Sequence, residues 1–104
     1  MPGNLILCQN AGATGAKAGI DSVPYVKTYS ATSKTSTGAG TAGVAIEGSA
    51  DGGTTWKQIG TISLVTSDTA TSDGFTSEDR YPKVRANVTA LTGTQATVTV
   101  YAGY

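Results

Sequence analysis

Tyr81-Pro82-Lys83-Val84-Arg85-Ala86-Asn87-Val88-Thr89-Ala90 is the stretch whose reading decides the fold. Val84, Ala86 and Val88 alternate with Lys83, Arg85, Asn87 and Thr89, the period-two pattern of a strand with one face in a core and the other in water. The chain repeats this logic downstream, where Ala96, Val98, Val100 and Ala102 alternate with Thr97, Thr99 and Tyr101. Leu91-Thr92-Gly93-Thr94 joins the two runs, which together read as a C-terminal antiparallel hairpin. Threonine suits the wet face because its branched Cβ fits a pleated strand.

Working upstream, Ala42 to Ser49 alternates through Val44 and Ile46, and Asp51-Gly52-Gly53 supplies a turn tolerant of positive φ. Trp56 to Val65 then forms the return strand of a second hairpin. Its apolar spacing mimics a helix, but Gly60 and the β-branched Ile59, Thr61, Ile62 and Val65 favour a strand carrying a bulge. Pro24 precedes another strand over Tyr25 to Ala31, and a short first strand spans Leu5 to Gln9. Residues 32–41 and 66–79 read as Ser/Thr/Gly/Asp loops. Between residues 9 and 22, Gly12, Gly15 and Gly19 interrupt every turn of a would-be helix, each costing about 1 kcal/mol relative to alanine. That segment is expected to be extended.

These elements predict an all-β chain: a single β-sandwich, immunoglobulin-like or jelly-roll in connectivity, with an extended Gly/Ala-rich N-terminal arm. Residues 1–22 form the strand and arm, and residues 23–104 the sandwich. A lone sheet would leave one face of Ile46, Trp56 and Val88 uncovered, so either two sheets must pack or a partner must cover one. Trp56 is expected as a central packing residue.

The composition narrows the chemistry. The 104 residues include seven basic and seven acidic side chains, no histidine and one cysteine. A net charge of zero gives no clustered cations for phosphate, so no direct nucleic-acid partner is expected, and Lys83 and Arg85 with nearby Arg80 read as a solvated face. Without histidine, the Ser-His-Asp and Cys-His nucleophile systems are gone, together with the commonest metal ligand. Cys8 reads as an inert thiol with no disulfide partner in the chain. Glu47, Asp51, Glu78 and Asp79 are the carboxylates available for acid–base work, but Glu47 sits opposite the Val44/Ile46 face and Asp51 in a turn. The acidic stretch with Asp68, Asp73, Glu78 and Asp79 matches no EF-hand spacing. Gly38, Gly40 and Gly43 lack the G-x-G-x-x-G and Walker patterns of a phosphate cradle. No enzyme, metal or cofactor is therefore expected.

The run Leu5-Ile6-Leu7-Cys8 is too short for a secretory core, and no stretch approaches the ~20 apolar residues of a membrane helix. No membrane partner is expected, and production in a reducing cytoplasm, followed by use there or in an assembled particle, is the simplest account.

Two segments carry a resemblance. Val44-Ala-Ile-Glu-Gly-Ser-Ala-Asp-Gly-Gly-Thr-Thr-Trp56 is similar to an "IEGS.DGGTTW" hairpin that recurs in small virion proteins of tailed bacteriophages. Tyr81 to Gly93 resembles the "YPxVRANVTALTG" close of the same sandwich family, and Asp73-Gly74-Phe75-Thr76-Ser77 fits the segment before it. The resemblance covers about residues 25–102. It implies a capsid decoration, or cement, protein on the capsid exterior that ties major capsid protein subunits together and self-associates, with trimers natural around local symmetry axes. Leu5, Ile6 and Leu7 are the candidate partner contacts, filling pockets while the arm adds to a neighbouring sheet; the same three residues also read as an ordinary first strand. A tail, head-tail connector or fibre component on the same sandwich is an alternative, and a carbohydrate-binding module using Trp56 is another.

Overall fold

The computed structural model describes residues 4–21, 28–78 and 81–103. Among these described residues nine strands succeed one another: β1 (Asn4–Ala11), β2 (Gly15–Ala16), β3 (Ile20–Asp21), β4 (Thr28–Lys34), β5 (Thr37–Ser49), β6 (Lys57–Thr66), β7 (Thr71–Thr76), β8 (Lys83–Thr94) and β9 (Thr97–Gly103). They form two antiparallel sheets, β1-β9-β4-β7 and β2-β8-β5-β6, with β3 also paired to β8. β2 and β3 lie along the same side of β8, so they count as one interrupted strand. With that, the order is that of an eight-stranded jelly roll, which settles the connectivity that alternation leaves open.

The β5–β6 hairpin forms as expected. Val44 stands opposite Ile62 and Ile46 opposite Gly60, while Glu47 meets Gln58, so Ile59 is the extra residue of a bulge. The turn holds Gly52 at φ 81° and Gly53 at φ 107°.

The C-terminal hairpin does not form. β8 belongs to the second sheet and β9 to the first, and the chain crosses between them near Gln95, itself at φ 49°. The apolar rows of the two strands meet across the core instead of lying side by side. Alternation states that a strand has one buried face; it does not state whether the next strand lies beside it or opposite it.

Two expected loops are largely strand. β7 occupies the middle of residues 66–79, and only Thr35 and Ser36 separate β4 from β5. Their inward positions are polar, which hides the period. Ser33 and Thr35 are fully buried and donate their hydroxyls to the carbonyls of Thr97 and Gly38, each at 2.6 Å. On β4, Tyr29, Ala31 and Ser33 face inward; residues 25–27 of the expected strand lie outside the described residues.

The core is built of small aliphatics: Ile46, Val44, Val84, Val88, Val98 and Val100 are its largest fully buried apolar side chains, with Ala31, Ala86 and Ala102 between them. On one side Phe75 of β7 stacks on Tyr29, ring centroids 5.4 Å apart, and lies against Gly60 of β6, where a Cβ would fall 2.6 Å from the ring. Glycine at position 60 thus lets an aromatic ring close the sandwich between the edges of its two sheets. Trp56, expected at the centre, stands outside the core cluster.

Candidate functional site

The N-terminal segment is extended and runs along the sandwich itself. β1 pairs with β9 at one edge of the first sheet; the chain then crosses to the second sheet, where β2 and β3 pair with β8 and the Lys17 amide donates to the Ala86 carbonyl at 2.8 Å. This placement separates the three candidate contact residues. Leu5 stands opposite Ala102, Ile6 opposite Tyr101 and Cys8 opposite Val100, leaving Leu7 as the extra residue of a bulge. Leu7 is buried in the core, Leu5 packs against it in part, and Ile6 is 48% exposed on the outer face.

Ile6 begins a row across that face. Tyr101, Ser30 and Gly74 follow it on β9, β4 and β7. The adjacent row is hydroxylic, with Thr99, Thr32 and Ser72 in register, Thr32 and Ser72 joined at 2.8 Å and the Asn10 amide donating to Thr99 Oγ1 at 3.0 Å. A shallow hollow of about 280 Å³ lies among Asn10, Thr32, Lys34, Thr99 and Tyr101. The result is a flat surface of an aliphatic side chain, a tyrosine and hydroxyls, suited to close contact with another protein without the cost of desolvating many charges.

The outer face of the second sheet has a different character. β5 and β8 set Glu47 opposite Arg85, and the Arg85 Nε donates to Glu47 Oε1 at 2.6 Å, with 23% and 16% of the two side chains exposed. The Arg85 guanidinium also stands 4.2 Å from the Trp56 ring centroid, a cation–π contact. Trp56 Nε1 donates to the Gly53 carbonyl at 2.9 Å, and a methyl group at Gly19 would meet the indole at 2.7 Å. Lys83 pairs with Asp21 of β3 at 3.5 Å. The basic group expected to be a solvated face is therefore, at Arg85, a packed clamp holding the β5–β6 turn, β8 and the N-terminal segment together. Alternation signals the outward direction of Glu47 and Arg85, but only the strand register makes them partners. Arg80 lies outside the described residues. Tyr81 covers Gly48, where an added Cβ would fall 2.4 Å from its ring, and a depression of about 340 Å³ opens between Tyr81, Asp51 and Lys57.

Asp51 organises the turn between β5 and β6. Its Oδ1 accepts from the Thr55 amide at 2.9 Å, the Ser49 hydroxyl at 2.7 Å and the Thr54 amide at 3.1 Å. These bonds, that from the Thr55 amide foremost, hold the Asp51 carboxyl well below the usual carboxylate range. Because the folded-state value is depressed, the stabilisation is present above the unfolded-chain pKa of about 3.9 and is lost as the pH falls towards the folded value. The Asp51→Asn variant is expected to be less stable than the parent at pH 7, and the difference should shrink as urea titrations are moved from pH 5 to pH 2.5. An unchanged difference across that range would remove the carboxylate from this role.

Among the described residues, no three His, Cys, Asp or Glu side chains gather where they could share a metal ion. Asp68 is exposed after β6 and Asp73 lies on β7, while Asp79 is outside the described residues. Burial pushes the Cys8 thiol up from its ordinary value, which lowers its thiolate fraction at neutral pH.

No protein-family model matches the chain, and no curated protein matches it in sequence. Among solved structures, the fold is similar to that of the PBSX exported protein XepA, with a TM-score of 0.53 at 16% sequence identity. The likeness covers 96% of this chain and 36% of that one, so this chain spans little more than a third of its neighbour. At that identity the likeness is one of fold.

Proposed function

We propose that this protein is a structural virion component of a tailed phage, one that decorates the capsid exterior and stabilises it by binding major capsid protein subunits. One observation carries the reading. The two segments that resemble small phage virion proteins, residues 44–56 and 81–93, lie side by side as the β5–β6 hairpin start and β8, and their distinctive residues Glu47, Trp56 and Arg85 interlock. What the resemblance marks is thus the scaffold of the sandwich. The PBSX exported protein XepA supports the same architecture through its fold alone.

On this reading the docking surface is the outer face of the first sheet, with Ile6 beside Tyr101 as its apolar part at the β1 edge and the hydroxyls of β9, β4 and β7 beside them. The work is done by binding, without catalysis. Many weak contacts on a symmetric shell add through avidity, so a modest face suffices. A carbohydrate-binding role for Trp56 has less support, because the Arg85 guanidinium already occupies the ring.

The test is to add the purified protein to capsids that lack it and count the bound copies by quantitative mass spectrometry. Binding on the order of hundreds of copies per particle, with a raised temperature of capsid disruption, is expected of a decorating protein. About a dozen copies or fewer would assign it to a connector or fibre instead.

A further inference from the structure

The described edges of the two sheets are unequal. β1 is broken by two register shifts and holds Asn10 at φ 51°. β2 and β3 have two residues each, and β7 has six, with Gly74 and Asp73 among them. Short, bulged or charged edges of this kind resist pairing with another chain. β6 differs: it runs ten residues from Lys57 to Thr66, its one bulge is at Ile59, and from Gly60 to Thr66 it carries neither charge nor proline. Val65, 77% exposed, stands on it as the more exposed of two large apolar residues at the surface among the described residues.

The main-chain groups that β6 turns outward can be assigned. The Thr41 amide faces β8, where it donates to Thr92 Oγ1 at 2.9 Å, so Thr41 and its β6 partner Val65 form a pair without mutual hydrogen bonds. The Val65 carbonyl accordingly accepts from Thr71 Oγ1, 3.2 Å away, and not from β5. By alternation, Thr61, Ser63 and Val65 direct their amides and carbonyls away from the sheet.

We propose that β6 is a dimerisation edge, pairing antiparallel with β6 of a second copy about a two-fold axis through Ser63, so that the two second sheets become one. Self-pairing is favoured over a foreign strand by its register. Ser63 meets Ser63 of the partner subunit and Thr61 meets Val65 of the partner subunit, both on the outer face, while inward Ile62 lies opposite Leu64 of the partner subunit. Lys57 falls beyond the paired stretch, so no like charges oppose one another. About six main-chain hydrogen bonds form in this register, and the Val65 carbonyl has a second lone pair beside the one taken by Thr71. The interface is isologous and closes at two copies. This inference rests on the strand edge and stands apart from the capsid reading.

The test needs only the purified chain. Light scattering after size exclusion should give twice the chain mass, and Ser63→Lys, which sets two ammonium groups face to face on the axis, should return it to the single-chain mass with unchanged circular dichroism. Ser63→Cys in a Cys8→Ala background should cross-link to a dimer on oxidation, because Cα atoms of such a pair lie about 5.5 Å apart, within disulfide range. A wild-type chain of single mass at millimolar concentration would overturn the proposal, as would an oligomer that Ser63→Lys leaves intact or a Ser63→Cys chain that fails to cross-link.

Discussion

Replacing Leu7 with alanine should lower the stability of the fold by about 3 kcal/mol, whereas the same change one residue earlier, at Ile6, should cost about 0.5 kcal/mol. The two side chains are neighbours in sequence and of equal size, but a β-bulge sends Leu7 into the core and leaves Ile6 on the surface. Loss of a buried leucine removes its transfer free energy and leaves a cavity that an edge strand can only partly refill. In thermal unfolding the Leu7→Ala midpoint should fall by about 10–20 °C, and that of Ile6→Ala by a few degrees at most. Capsid binding should respond in the opposite order: Ile6→Asp should abolish it without unfolding the chain, while any loss in Leu7→Ala should follow the fraction unfolded. Equal destabilisation by the two alanines would mean that β1 is not seated as described. Truncating the whole N-terminal segment is a poorer experiment, because it also removes Leu7 and the edge that β1 gives to β9.

Arg85→Ala should cost about 2 kcal/mol and change the fluorescence of Trp56, the single tryptophan of the chain. Removing the guanidinium leaves the largely covered Glu47 carboxylate without its partner, and stranding a buried charge costs more than the pair is worth. The figure is set below that of a fully buried pair because both side chains keep some contact with water. About 0.5–1 kcal/mol of it comes from the lost contact with the indole. The double variant Glu47→Leu/Arg85→Met should recover most of the loss, since no charge is then left unpaired. The emission maximum should shift to the red in Arg85→Ala, and amide exchange should rise in β3, which lies beside the clamp. A stable Arg85→Ala with unaltered emission would show that the clamp adds nothing to the fold.

The limits of the sequence show in particular elements. β5, β8 and β9 are legible because Val, Ile and Ala recur at alternate buried positions over much of each strand, and β6 because Gly60 and its β-branched residues oppose a helix. β7 is not, since Phe75 is its one large inward side chain and the rest of Thr71–Thr76 is polar or glycine. The stretch around Ser33 and Thr35 reads as loop because hydroxyls fill core positions there, and only the carbonyls of Thr97 and Gly38, brought near by folding, satisfy them. The same holds at the surface. Leu5, Ile6 and Leu7 look equivalent in a run of three apolar residues, and a bulge that depends on pairing with β9 makes them unequal.

By itself the sequence determined that this is an all-β chain with a two-layer core, because a period of two in apolar side chains is a local property that each strand carries alone. It also determined the β5–β6 hairpin, where Asp-Gly-Gly permits the positive φ angles of the turn. The tertiary structure alone decided that β8 and β9 face each other across the core, that Glu47, Trp56 and Arg85 join in one clamp, and that β6 is an edge strand in regular register from Gly60 to Thr66. Those outcomes depend on which strands become neighbours, and neighbourhood is set by how all the apolar faces can be buried at once, a condition that no single segment contains.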